Sequence, residues 1–200
     1  MVRRTKKEDF RGSLTAARAT VTLDTSGLEK IRDRFKFMEK TTLTIGVQGS
    51  EGQQKYKRTG ANLASVAMYN EFGVPSSSFP PRWSHPGIPA RSFLRSSMFE
   101  NRDKIQKTLG RALGKTLGAG GFDLGGKGDP ITELGLAGAV LVGMVRDKIR
   151  TSGLWAVPNA SSTAFKKGFD FPLIETLKLR DSITWAVRIG GQITAKDRAF

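Results

Sequence analysis

The stretch that most constrains this chain of 200 residues runs from Val74 to Arg91, where five prolines fall close together. Because proline fixes φ and has no N–H donor, this density predicts an irregular crossing rather than a helix or a central strand. Phe79, Trp83 and Ile88 lie in the same stretch, so it differs from a plain polar linker. A rigid loop with apolar side chains usually lies against a surface, which is either its own core or a neighbouring subunit.

Helices are predicted on both sides of this Pro-rich loop of residues 74–91. Residues 62–72 carry apolar side chains at helical spacing, and Gly73 is typical of a helix end. Glu71 is expected either to pair with a basic neighbour or to be exposed, and Asn70-Glu71 is otherwise interpreted as a polar pair at the end of this helix, with no chemistry. After the loop, residues 92–117 are predicted to form one long helix, whose basic face contrasts with an apolar stripe. That basic face includes Arg95, Arg102, Lys107 and Arg111.

The remaining periodicity predicts an α+β fold. A second long helix is expected over 130–151, with Asp129 as its N-cap and Pro130 as its first residue. Alternating residues predict strands near 18–24, 41–48 and 182–189. The expectation is a small, mainly antiparallel sheet packed by the two long helices. The predicted single domain spans 16–190 and includes the Pro-rich loop and a glycine-rich linker (118–129), while a basic arm (1–15) precedes it and a polar tail (191–200) follows it.

The formal net charge of +15 predicts affinity for something acidic, whether nucleic acid, a membrane surface or an acidic protein. The N-terminal arm is interpreted as a disordered tail or as a segment that orders on a neighbour or on DNA. The basic helix face is either simply solvated or meets an acidic partner. Charge alone does not choose among these alternatives.

Catalytic and cofactor chemistry are not predicted. The chain has no cysteine and one histidine, His85, so neither a thiolate site nor a His-rich metal site can be built. Gly121 and Gly126-Lys127 imitate the start of a phosphate-binding loop, but Gly128 stands where the motif needs Ser or Thr. No carboxylates show the spacing of a hydrolytic pair. The expectation is therefore a protein that binds without catalysis and without a cofactor.

A membrane partner is not predicted either. The most apolar stretch, from Leu134 to Val145, is twelve residues long, which is too short to cross a bilayer. The basic start, Met1 to Lys7, is not followed by an apolar run, so no secretory signal is predicted. The apolar stretch instead predicts a buried helix or a subunit interface.

Two blocks of sequence resemble the neck and tail-completion proteins of tailed bacteriophages. Together they span roughly residues 40–190, in the order found in that family. The first block is Asn70-Glu71-Phe72-Gly73, the Pro-rich loop, and Ile88-Pro89-Ala90-Arg91 followed by Phe93-Leu94-Arg95. The second comprises Pro158 to Thr163, Lys167-Gly168, Pro172 to Thr176, Leu179, and Asp181 to Thr184. Family members often read Pro-Leu-Ile-Asp-Thr-Gly in the second block, where this chain has Glu175 and Leu177 in place of Asp and Gly.

The resemblance implies a structural virion protein at the head–tail junction, assembled in the host cytoplasm. Such a subunit would join the connector, on the portal side, to the tail terminator and tail tube. It would form a ring with itself, commonly with six- or twelve-fold symmetry, and DNA in the channel would be a further partner. The interface candidates are Phe79, Trp83, Ile88 and Arg91. The candidates for an acidic partner or DNA are Arg95, Arg102, Lys107 and Arg111.

A different class of function, a free basic nucleic-acid-binding protein, is the alternative. The overall charge favours it. The aromatic residues lie mostly at core-like spacings, and no recognition-helix pattern is present, which favours the virion subunit.

Overall fold

The computed structural model describes residues 26–55, 60–76, 87–117 and 129–197. These residues form an α+β fold with nine helices and one three-stranded antiparallel sheet, which confirms the predicted fold class. The predicted strand near 18–24, the arm, residues 77–86 of the loop and residues 118–128 of the linker lie outside the described residues. The elements in chain order are α1 (Ser26–Glu39), β1 (Thr41–Val47), α2 (Gly49–Gln53), α3 (Leu63–Phe72), α4 (Leu94–Glu100), α5 (Arg102–Leu117), α6 (Pro130–Arg150), α7 (Ser152–Trp155), α8 (Ser161–Lys167), α9 (Lys178–Asp181), β2 (Ile183–Ile189) and β3 (Gln192–Lys196).

The sheet has the order β1-β2-β3, and both neighbouring pairs are antiparallel. Strand β3 corrects the expectation that residues 191–200 form a polar tail. Gly190 and Gly191 have φ values of 57° and 87°, and Ile189 pairs with Gln192 across them. Two successive residues with positive φ allow a tight hairpin turn, and glycine adopts such values at little cost. The pair of glycines therefore turns the chain back onto the sheet.

Helix α6 is the central element of the fold and lies directly on β1 and β2. It begins as predicted, because the Asp129 carboxylate accepts a hydrogen bond of 2.9 Å from the Thr132 amide and Pro130 is the first helical residue. A Cβ added at Gly138 would lie 2.8 Å from Cγ of Trp185, so glycine permits this close helix–sheet approach. The buried core cluster consists of Phe93, Val142, Val145, Ile149, Leu179 and Ile183.

The predicted single helix over 92–117 is divided into α4 and α5 at Asn101. This residue has φ −102° and ψ 17°, outside the helical region, and its side-chain amide donates to the Ser97 carbonyl at 2.9 Å. Helix α4 ends there, and α5 continues to pack on α6 and not directly on the sheet. One face of α5 is consequently left exposed on the outside of the helical layer.

Candidate functional site

The two ends of the Pro-rich loop are joined to each other. The Val74 amide donates to the Ile88 carbonyl at 2.8 Å, and the Ile88 amide donates to the Val74 carbonyl at 2.8 Å. Gly87 has a φ of 81°, and a Cβ there would lie 2.8 Å from the Val74 carbonyl oxygen, so no larger residue fits without rearrangement. The described ends of the loop, at residues 74–76 and 87–88, therefore lie side by side. Phe79, Trp83 and His85 lie in the segment 77–86, outside the described residues.

Arg91 ties the two sequence blocks together. Its Nε donates to the Val157 carbonyl at 2.7 Å and its Nη2 to the Pro158 carbonyl at 2.9 Å. The remaining nitrogen, Nη1, lies 3.4 Å from Oδ1 of Asn70, whose backbone carbonyl also accepts from the Arg91 amide at 2.6 Å. Burial lowers the pKa of the Arg91 guanidinium and the negative charge of Asp170 opposes this, so the group stays protonated. We call Arg91 and these acceptors the arginine clamp.

Glu71 fixes the start of α4 from the neighbouring helix. Its buried carboxylate accepts hydrogen bonds from the Ser92 hydroxyl at 2.7 Å, the Leu94 amide at 2.8 Å and the Arg95 amide at 3.0 Å. It also pairs with Nε of Arg95 at 2.9 Å. Burial raises the pKa of the Glu71 carboxyl, but the hydrogen bonds from Leu94, Ser92 and Arg95 outweigh burial and hold the pKa below its usual range. The carboxylate therefore satisfies backbone donors that α4 would otherwise leave free.

A cavity of about 480 Å³ lies between the two blocks. Residues of α3 and of the end of the Pro-rich loop form one side, and residues of α8 and the segment before α9 form the other. On the second side, Leu173 and Leu177 both have a φ of 60°, in the left-handed region that side chains with a Cβ rarely occupy. Leu177 stands where the resembled family often has glycine, which adopts this region freely. The lining includes Tyr69, Asn70, Ile88, Pro89, Arg91, Asn159, Thr163, Leu173, Leu177 and Leu179.

The structure separates the four predicted interface residues. Ile88 lies at the cavity and is 37% exposed, so it remains accessible at the base of the loop. Arg91 is only 7% exposed, and its guanidinium is bound within its own chain, so the expected contact of this side chain with a neighbour is corrected to an internal role. Phe79 and Trp83 lie outside the described residues.

The predicted basic face is also divided. Arg95 pairs with Glu71, and its guanidinium lies 4.5 Å from the centre of the Phe72 ring, so it serves the fold as well as the surface. Arg102, Lys107 and Arg111 project from α5, are exposed, and form no ion pair within the described part of the chain. These three residues are thus the cations of the face that remain available to a partner.

The ion pair of Glu71 with Arg95 confirms one of the two alternatives expected for this side chain, a basic neighbour rather than exposure. The hydrogen bonds that join Asn70 and Glu71 to the segment 91–95 are not predicted by the sequence pattern. The sequence does contain a relevant pattern, because a carboxylate precedes the loop and a Ser-x-Leu helix start follows it. A carboxylate on one element can cap the free backbone amides at the start of a helix on another element. Sequence alone could not show that the loop brings the two together.

Within the described ranges, no group of three His, Asp or Glu side chains is arranged to hold a metal ion. None of the helices in those ranges is both long enough and apolar enough to cross a membrane.

Comparison with protein-family models, with curated proteins and with solved structures gives no match for this chain. The resemblance to phage neck proteins therefore remains a prediction from the sequence motifs.

Proposed function

We propose that this chain is a structural subunit of the neck of a tailed bacteriophage, a tail-completion protein that joins the connector to the tail. One observation supports this proposal above the others. The two blocks of sequence that carry the resemblance, more than sixty residues apart, lie against each other, and Arg91 of the first donates to the Val157 and Pro158 carbonyls beside the second. The residues of the two motif blocks thus belong to one packed unit of the structure.

The chemistry of this unit suits binding better than catalysis. Its buried charges, on Arg91 and Glu71, are saturated by hydrogen bonds from or to their own chain. A catalytic acid or base needs an open position for substrate, which these groups lack. What they do instead is hold the base of the Pro-rich loop rigid. A rigid base lowers the entropy that is lost when the loop meets a neighbour.

The proposed partner of the loop is the next subunit of a ring. Phe79 and Trp83 are large aromatic residues of the kind that dominate interface energies. A loop that inserts into a different surface of its neighbour makes a head-to-tail contact, and such contacts form a ring when the rotation between successive subunits closes. The symmetry implied by the resemblance is six- or twelve-fold, and the other partners would be the connector and the tail terminator or tail tube.

A free nucleic-acid-binding protein is the second candidate. Arg102, Lys107 and Arg111 of α5 favour it, since they are exposed and form no ion pair with the residues that the structure describes. The two candidates differ in their response to salt, because binding to phosphates weakens steeply as salt rises, whereas contacts between apolar side chains do not.

The test is the mass of the purified protein by light scattering at 50 mM and 500 mM salt. We expect a discrete oligomer at both salt concentrations. The double variant Phe79→Ser/Trp83→Ser should shift it to monomer, while the matched exposed variant Phe165→Ser/Leu154→Ser should not. A protein that remains monomeric at every concentration and salt, or a ring that is unaffected by the loop variant, would contradict the proposed assembly.

A further inference from the structure

A row of cations lies along the outer face of α5. Lys107, Arg111 and Lys115 follow each other at intervals of four residues, so they share one face and rise by about 6 Å per step. All three are exposed. Gly110 and Gly114 lie between them and leave an open groove, in which a Cβ added at Gly110 would meet no atom within 4 Å. We call these five residues the basic groove.

The positive charge of the basic groove is largely uncompensated. Lys107 and Arg111 form no ion pair among the residues that the structure describes. Lys115 pairs with Glu133 of α6, with 3.2 Å between Nζ and Oε2. Asp103, one turn before Lys107, is exposed and forms no ion pair within the described ranges. The groove therefore offers two cations without an ion pair in the described part of the chain, and a third, Lys115, that is paired with Glu133.

We propose that the basic groove binds the phosphate backbone of double-stranded DNA. Its lining is glycine, lysine and arginine, without an aromatic or aliphatic anchor. Protein partners are held mainly by buried apolar or aromatic anchors, and single strands by bases stacked on aromatic rings, and the groove offers neither. Lys and Arg on an open helical face suit duplex phosphates, whose recognition needs no base contact.

The groove would also not oppose its own copy in a two-fold contact between identical subunits, because opposing two like-charged rows is unfavourable. The proposal that the groove binds DNA rests on the proposed neck role only for its setting, in which DNA passes through the ring. The binding itself can be measured on the isolated protein. The binding is expected to be independent of sequence, since phosphate contacts carry no sequence information.

Substitution of Glu133 tests the proposal through tighter DNA binding, whereas substitution of the groove cations tests it through weaker binding. Because the Glu133 carboxylate competes with phosphate for Lys115, Glu133→Gln should release that cation and tighten DNA binding. One additional phosphate contact adds about 0.9 to the magnitude of the slope of log K against log salt. A general loss of folding would weaken binding, so a gain cannot arise from damage to the protein.

The experiment measures binding of the full chain to a fluorescent 30-base-pair duplex by anisotropy, between 50 and 200 mM KCl. For Lys107→Gln/Arg111→Gln we expect the magnitude of the salt slope to fall by about 1.8 and the Kd to rise by tenfold or more at 50 mM. The matched control, Lys166→Gln/Lys196→Gln, removes two exposed charges from α8 and β3 and should leave the slope within about 0.3 of the parent, because no phosphate contact is lost.

Equal weakening by both double variants would overturn the proposal, because net charge and not the groove would then govern binding. Tighter binding to a single strand than to the duplex, or binding of polyglutamate without binding of the duplex, would also overturn it and would favour a stacking site or an acidic protein partner.

The mass of the same variants without DNA is measured in parallel. A parent that binds duplex through the groove but forms no ring would contradict the neck assembly and support the groove, so the two failures are distinguishable.

Discussion

The arginine clamp and the basic groove use the same type of residue for opposite purposes. Arg91 is almost fully buried, and three of its nitrogens donate to oxygens of its own chain. Arg111, twenty positions later, is exposed and forms no ion pair in the described part of the chain. Both contribute equally to the net charge of +15. Net charge therefore does not measure what is available to a partner, and only the exposed share bears on binding.

The difference follows from what surrounds each side chain. Burying a guanidinium is costly unless its donors are satisfied, and the carbonyls of Val157 and Pro158 satisfy two of them. Those carbonyls lie at the start of the second sequence block, on its first residue and on the residue before it, so the charge of Arg91 holds together segments that are distant in the chain. Arg111 has no such acceptors among the residues that the structure describes, and its side chain is exposed on one helix.

The strongest test of this contrast is Arg91→Ala. We expect it to lower the free energy of unfolding by about 3–5 kcal/mol, because removing one partner of a buried, charged network leaves the others unpaired. Arg91→Lys should recover only part of this loss, since an ammonium cannot donate in the planar fork that the carbonyls require. Urea unfolding followed by circular dichroism measures both.

The matched control is Arg111→Ala, which should change the free energy of unfolding by no more than about 0.5 kcal/mol. Comparable losses at positions 91 and 111 would show that the proposed division between internal and available charge is wrong.

The second test concerns Glu71→Gln. At pH 7 this variant should lose about 2–3 kcal/mol, because the neutral amide accepts charged and backbone hydrogen bonds less well and its NH2 opposes the donors of α4. The folded pKa of Glu71 is below the unfolded value of about 4.3. Its stabilisation is therefore complete above that pH and is lost as the pH falls through the folded pKa.

The stability difference between parent and Glu71→Gln should accordingly shrink as the pH is lowered from 5 towards 2. Asp103→Asn provides the control, because this carboxylate is exposed and has no ion pair with any residue in the described ranges, and the variant should show a small difference in stability at every pH. A difference that stays constant with pH would mean that the Glu71 carboxylate is not the stabilising species.

The sequence predicted the elements better than it predicted the clamp. Periodicity located α6, β1 and β2, and the Asp129-Pro130 start of α6, because these features depend on residues that are near each other in the chain. The bonds from Arg91 to Val157 depend on the path of the chain across 66 positions, which no local pattern encodes. The break at Asn101 was missed for a related reason. The apolar spacing typical of a helix continues on both sides of Asn101, so it predicts one helix. The hydrogen bond from the Asn101 side chain to the Ser97 carbonyl competes with that continuous helix.

A third test compares two glycines of α6. A Cβ at Gly138 would lie 2.8 Å from Cγ of Trp185 and 3.1 Å from Cδ1 of Leu43, so Gly138→Ala should destabilise the fold by about 1–2 kcal/mol through forced repacking. A Cβ at the exposed Gly143 would meet no atom within 4 Å, so Gly143→Ala should instead be neutral or stabilising. Thermal unfolding of the two variants gives the sign of each change in stability. Equal changes would mean that the helix does not approach the sheet as closely as described.

The smallest effect is expected at Gly110, inside the basic groove. Gly110→Ala should raise the free energy of unfolding by about 0.5–1 kcal/mol, because alanine loses less backbone entropy in a helix and its Cβ would meet no atom within 4 Å. The same change leaves the charges of Lys107 and Arg111 in place, so the salt slope for duplex binding should not change, since that slope counts phosphate contacts. A stabilised variant with an unchanged slope would show that the groove acts through its cations. A loss of DNA binding would instead mean that the backbone of α5 must approach the phosphates closely at this glycine.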